Sequence, residues 1–97
     1  MSKRKNSDGL DSDFIAIKSL FESGIAKSMV ILEQQGPTKM AKELGLQYNS
    51  YLEKLKNPEK FTFKHIFKMA TLCELNPDLI YKVIKKQLNI EDTTIEV

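Results

Sequence analysis

The chain is cut at short intervals by residues that end helices. Gly24, Gly36 and Gly45 stand alone, Asn57 is followed by Pro58, and Asn76 by Pro77. Glycine takes the left-handed conformation that closes a helix, and proline cannot continue the hydrogen-bond ladder. Between these breaks the apolar residues recur at three- and four-residue spacing, the period of a helix with one buried face. Such punctuation leaves room only for short helices joined by tight turns. The fold class it predicts is all-α, a compact bundle of five to six short helices.

The first predicted helix is "DFIAIKSLFES", residues 13–23, with Asp13 as its cap and Ile17, Leu20 and Phe21 on one stripe. A second is expected over 26–35, carrying Met29, Val30 and Leu32. Thr38, just after Pro37, is the expected cap of a third, which runs to Leu44 with Met40, Ala41 and Leu44 inward. A fourth covers 48–56, where Tyr48, Tyr51, Leu52 and Leu55 repeat at amphipathic spacing. Thr62 caps the fifth, in which Phe63, Ile66, Phe67, Ala70 and Cys73 are expected to point inward. Asn76-Pro77-Asp78 opens the sixth, which ends near Leu88 and places Ile80, Val83, Ile84 and Leu88 on one face. This domain spans 13–88. Residues 1–12 read as a disordered or loosely attached polar tail, in which Lys3, Arg4 and Lys5 could touch phosphates. Residues 89–97, "NIEDTTIEV", are acidic and β-prone, and read as disordered or as a strand completed by a partner.

Ninety-seven residues, 41 % apolar and 29 % charged, suit one small domain with its own core. No apolar run approaches the ~20 residues of a membrane helix. The first residues lack the apolar centre of a secretory signal, and a single cysteine offers no internal disulfide. A cytoplasmic protein with no membrane partner is expected. Net charge is +2, but residues 36–69 hold seven Lys against three Glu, while residues 70–97 hold three Lys against five acids. Positive charge collected on the middle of the chain hints at a polyanion-facing surface.

Reactive groups are few. His65, early in a helix, reads as a partly exposed surface histidine, and Cys73 as a small core residue. One Cys and one His make no zinc site, and four isolated glycines make no phosphate loop. The residues point to no enzyme, no cofactor and no metal.

The informative stretch is "TKMAKELGLQYNSYLEKL", residues 38–55. Two helices meeting steeply through a short turn need a small residue where they cross, a residue of positive φ at the turn, and apolar locks around it. Ala41 is the small residue, Gly45 the turn, and Met40, Leu44 and Leu46 the locks. Tyr51, Leu52 and Leu55 hold the second helix to the core. The rest of that helix is polar: Gln47, Asn49, Ser50, Glu53, Lys54 and Lys56. Gln and Asn suit adenine edges, Ser a base or phosphate, Lys guanine or phosphate. Thr38 and Lys39 would lie near backbone phosphate at a helix start, and Lys60 and Lys64 could flank the duplex. With Tyr48 at the first turn, the candidate DNA contacts are Thr38, Lys39, Gln47, Tyr48, Asn49, Ser50, Glu53, Lys54, Lys56 and Lys60.

This run, with "LQYNSYLEKLKNPEKFTFKHIFKMATLCEL" after it, resembles the helix-turn-helix of the lambda repressor and Cro-like (Xre-type) family. The wording "NPEKFTF" looks like small regulator-like proteins of Bacteroidetes-type bacteria. The resemblance covers about residues 14–88. It implies a five-helix bundle that binds double-stranded DNA as a transcriptional regulator, often as a homodimer, for which Ile80, Val83, Ile84 and Leu88 offer a face. Two departures stand out. The family's apolar position six after the turn glycine falls on Tyr51, but the next falls on Lys54, while Leu52 and Leu55 would suit a turn one residue longer. The facing of the helix is thus open by one position, about 100°. "ESGIAKSMVILEQQG" looks like an added short helix before the motif. An interaction module on the same scaffold, antitoxin-like or an adaptor, is the alternative: the low net charge, Glu53 and the acidic end favour it.

Overall fold

The structure, a computed structural model, describes residues 11–90. Its α-helices are α1 (Ser12–Glu22), α2 (Pro37–Leu44), α3 (Tyr48–Lys56), α4 (Phe63–Cys73) and α5 (Pro77–Gln87). Two 3₁₀ turns, Met29–Gln34 and Pro58–Lys60, complete the described elements, which include no strand. None of the described helices is long and apolar enough to cross a membrane.

Local chemistry explains four of the five α-helix starts. Asp11, not Asp13, caps α1: its carboxylate accepts from the Asp13 N–H at 2.8 Å. A cap must precede the helix by one extended residue, and Asp11 has that backbone while Asp13 already lies in the first turn. Residues 1–10 of the expected tail lie outside the described residues, as do 91–97 of the terminal one. The second predicted helix shrinks to the turn at Met29–Gln34, capped by Ser28, whose hydroxyl accepts from the Val30 N–H at 3.2 Å. α2 begins two residues earlier than expected. Gly36 is its N-cap in the left-handed conformation, with Pro37 in the first turn, so Thr38 lies inside the helix and caps nothing. α4 carries a reciprocal box. The Thr62 hydroxyl accepts from the His65 N–H, the His65 ring Nδ1 accepts from the Thr62 N–H, both at 3.1 Å. At α5 the Asn76 side chain accepts from the Asp78 N–H at 2.9 Å.

Ile17, Met29, Leu32, Met40, Tyr51, Leu55, Met69, Cys73 and Ile80 are sealed in one core, to which every α-helix contributes. Burial pushes the Cys73 thiol up to about 12, so the sulfur stays a neutral packing atom. The stripe on α4 differs from the expected one. Ile66, Met69, Ala70 and Cys73 are buried, whereas Phe63 and Phe67 are 72 % and 52 % exposed. Two stripes, rotated by about one residue, are compatible with the α4 sequence, and Met69 decides for the one that excludes the phenylalanines. On α5, Ile80, Val83 and Ile84 are buried and Leu88 packs against the core. Ile80, Val83 and Ile84 thus fill the protein's own interior rather than the face expected for a second copy, and Leu88 stays half-buried at its edge. The Gln87 side chain closes the bundle: its Oε1 accepts from the Met29 N–H at 2.8 Å, and its Nε2 donates to the Leu55 carbonyl at 3.0 Å.

Candidate nucleic-acid interface

The link between α2 and α3 is built by Gly45, Leu46 and Gln47. Gly45 sits at φ +74°, where a side chain would be strained. The Gly45 N–H donates to the Lys42 carbonyl at 3.1 Å and the Leu46 N–H to that of Ala41 at 2.9 Å. These paired bonds close a helix end and reverse the chain. Met40 and Ala41 are buried and Leu44 and Leu46 pack against the core, so the locks read from the sequence hold this turn.

The facing of α3 is resolved. Tyr51 and Leu55 are fully buried, and Leu52 and Lys54 flank them half-buried. Asn49, Glu53 and Lys56 lie opposite the core and are exposed, with Ser50 at their edge. Lys54 is thus a shoulder residue. Its stem covers apolar surface and its charge lies beside α4, where with Lys64 it helps lower the His65 pKa, an effect led by partial burial of the ring. Gln47 and Tyr48 are exposed at the start of α3, so Tyr48 does not join the buried stripe. Among the described residues, the side chains of Gln47, Asn49 and Ser50 make no hydrogen bond.

Other candidates are engaged. The Lys39 ammonium contacts Asp11 at 2.7 and 2.9 Å and Asp13 at 3.0 Å. It ties α2 to the start of α1, and its hydrogen bond holds the Asp11 carboxyl below its ordinary range. Lys39 is therefore neutralised rather than offered to a phosphate, and Thr38 is exposed next to it. Lys60 holds Glu53 at 2.7 Å, which lowers the Glu53 pKa and masks the one carboxylate on the outer face of α3.

The start of α4 widens the basic surface. A cavity of about 320 Å³ is lined by Glu43, Leu44, Lys64, His65 and Lys68. His65 lies against Phe61, ring centroids 6.0 Å apart, and Phe61 against Tyr51 of α3 at 6.4 Å. With Nδ1 accepting from Thr62, the neutral ring carries its proton on Nε2 as a donor. His65 and Lys68 were not among the sequence candidates. The capping grammar at Thr62 was visible, but a histidine in the place usually taken by Glu or Gln gave no sign of closing the box.

The molecule thus offers an uncompensated polar strip on α3, a lysine pair at Lys54 and Lys56, and a second lysine pair at Lys64 and Lys68. Compared with protein-family models, curated proteins and solved structures, the chain matches none.

Proposed function

We propose that this bundle is of the lambda repressor-like helix-turn-helix type, and that it binds double-stranded DNA as a sequence-specific regulator of transcription, with α3 in the major groove. The observation that carries this reading is the outer face of α3. Gln47, Asn49 and Ser50 are unpaired polar groups on a helix anchored from behind by Tyr51 and Leu55. Amide side chains at that place suit the donor–acceptor pair of adenine, and Lys54, Lys56, Lys64 and Lys68 flank them for phosphates. The Glu53–Lys60 pair lowers the repulsion a carboxylate would exert on the backbone.

Selection from randomised duplexes tests it. A preferred site should emerge, with affinity falling steeply in salt. Four lysines on phosphates correspond to a slope of log K against log salt of about −3.6. Asn49→Ala should relax preference at one base position, whereas Lys56→Ala should weaken all sequences alike and flatten the slope by about 1. Lys39→Ala should leave the slope unchanged. If no duplex is retained at low salt, the reading fails. The alternative, an interaction module with a protein target, is favoured by the net charge of only +2 and by Glu53 at the centre of the α3 face.

A further inference from the structure

Away from the candidate interface, the surface between α1 and α5 holds a cavity of about 320 Å³. Past α1 the chain turns at Gly24, where the Ala26 N–H donates to the Leu20 carbonyl at 3.0 Å, and this turn brings Lys27 back to α5. The floor of the cavity is apolar. Phe21, Ala26 and Val83 are buried beneath it, and Leu79 is half-buried at its side. The rim is basic, because Lys27, Lys82 and Lys86 all line the cavity and are exposed.

We propose that this cavity binds a small phosphate monoester with an apolar body. Among the described residues none of the three lysines has a hydrogen bond or an ion pair, in contrast to Lys39 and Lys60. Lys82 and Lys86 are also one turn apart on the same face of α5, where like charges repel. An anion set among the three ammonium groups relieves that repulsion. Glu22, the one acid in the lining, lies 3.9 Å from Lys18, one turn back along α1. Three positive charges against one negative leave the lining at +2, which matches the nearly double charge of a phosphate monoester at neutral pH. A monocarboxylate would leave half of it unanswered.

The floor decides the rest of the ligand. Phe21, Ala26, Leu79 and Val83 offer no polar side-chain group to a sugar or a peptide. The Ser23 hydroxyl is engaged, donating to the Leu20 carbonyl at 3.5 Å and accepting from the Ile25 N–H at 3.4 Å. The body of the ligand is therefore a ring or a short chain. A cavity of about 150 Å³ holds benzene, so this volume suits two fused rings. Nucleic-acid phosphates, which carry no such body, would use the rim but not the floor. No residue of α2, α3 or α4 lines the cavity, so the site is separate from the polar strip on α3.

Naphthyl phosphate is the probe, and the test contains no DNA. At the efficiency usual for small ligands it should bind the full chain with a dissociation constant of about 0.1–1 mM. In amide NMR spectra the shifts should centre on Gly24, Lys27, Lys82 and Val83 and leave Tyr48–Lys56 in place. Naphthol and inorganic phosphate, each carrying one half of the probe, should bind about tenfold more weakly. Lys82→Gln with Lys86→Gln should raise the dissociation constant about tenfold, with helical circular dichroism retained. Added salt should weaken binding of the probe but not of naphthol. Inorganic phosphate bound as tightly as the probe, or shifts spread over lysines of the whole surface, would reduce the site to general charge attraction and overturn the proposal. So would binding indifferent to the double lysine variant, or no saturable binding of the probe in the millimolar range.

Discussion

Glu74 closes α4 at φ +54°, in the left-handed region where a side chain costs about 1 kcal/mol. Its N–H and that of Leu75 donate to the Thr71 and Ala70 carbonyls, the same pair of bonds that closes α2 at Gly45. Glu74→Gly should therefore stabilise the fold by about 1 kcal/mol, read as a rise of roughly 4–8 °C in thermal unfolding. The glycines should behave in the opposite sense, and unequally. At Gly45 an added Cβ meets nothing within 4 Å, so Gly45→Ala carries only the backbone strain, about 1 kcal/mol. At Gly36 it would lie 2.7 Å from the Asp13 carboxylate, which is held by Lys39. Gly36→Ala should cost more than Gly45→Ala in the same denaturation series. His65 adds a pH dependence. Its pKa in the fold is lowered, so the unfolded chain binds the extra proton first. Stability from this residue is complete above its ordinary value of about 6.5 and is lost as pH falls toward the folded pKa. His65→Gln keeps an acceptor at the box, and should flatten stability between pH 7 and 5 while retaining α4.

At the scale of elements, α3 shows how far spacing alone leads. Tyr51, Leu52 and Leu55 were marked as anchors, yet the wheel could not be set within one residue, because Leu52 and Lys54 both lie on shoulders of the buried arc. Only the neighbours decide. The turn at Met29–Gln34 and α2 pack against α3, and Phe61 meets Tyr51 edge-on. The Tyr51 hydroxyl has no partner among the described residues, and burial raises its pKa. Tyr51→Phe should leave stability unchanged or improve it by up to about 1 kcal/mol. A loss larger than that in urea unfolding would mean the hydroxyl is satisfied. The buried stripe of α4 departs from its apolar spacing for a related reason. Phe63 and Phe67 are spaced like core residues, but Met69, an unbranched side chain that fills irregular gaps, takes the inner place. Aromatic residues at helical spacing carry no label that separates a core face from an exposed one.

For the molecule as a whole, the all-helical class and most helix boundaries were legible, because Gly, Asn-Pro and Ser/Thr/Asp caps act within a few residues of the chain. Contacts between distant residues were not. No local rule announces that Lys39 is held by Asp11 and Asp13, 28 and 26 positions away, or that Lys60 reaches back to Glu53. Those pairs change the candidate interface more than any helix boundary does. They remove Lys39 from the free cations and mask Glu53, and the basic surface shifts toward Lys54, Lys64 and Lys68. Charge reversal at Asp11 probes this directly. Asp11→Lys should leave Lys39 held by Asp13 alone and add a positive charge beside it, strengthening low-salt duplex retention, while unfolding begins at milder denaturant because α1 loses its cap, a cost of about 1 kcal/mol.

Gln87 has a consequence in time rather than in space. The carbonyl of Leu55, in the last turn of α3, finds its donor 32 residues later, and the Met29 N–H finds its acceptor 58 residues later. Until α5 has been made neither group has this partner, so the end of α3 gains its brace only when nearly all of the described chain is present. The helix offered as a reading head is thereby tied to the far end of the fold, and its last turn depends on a residue made 32 positions later.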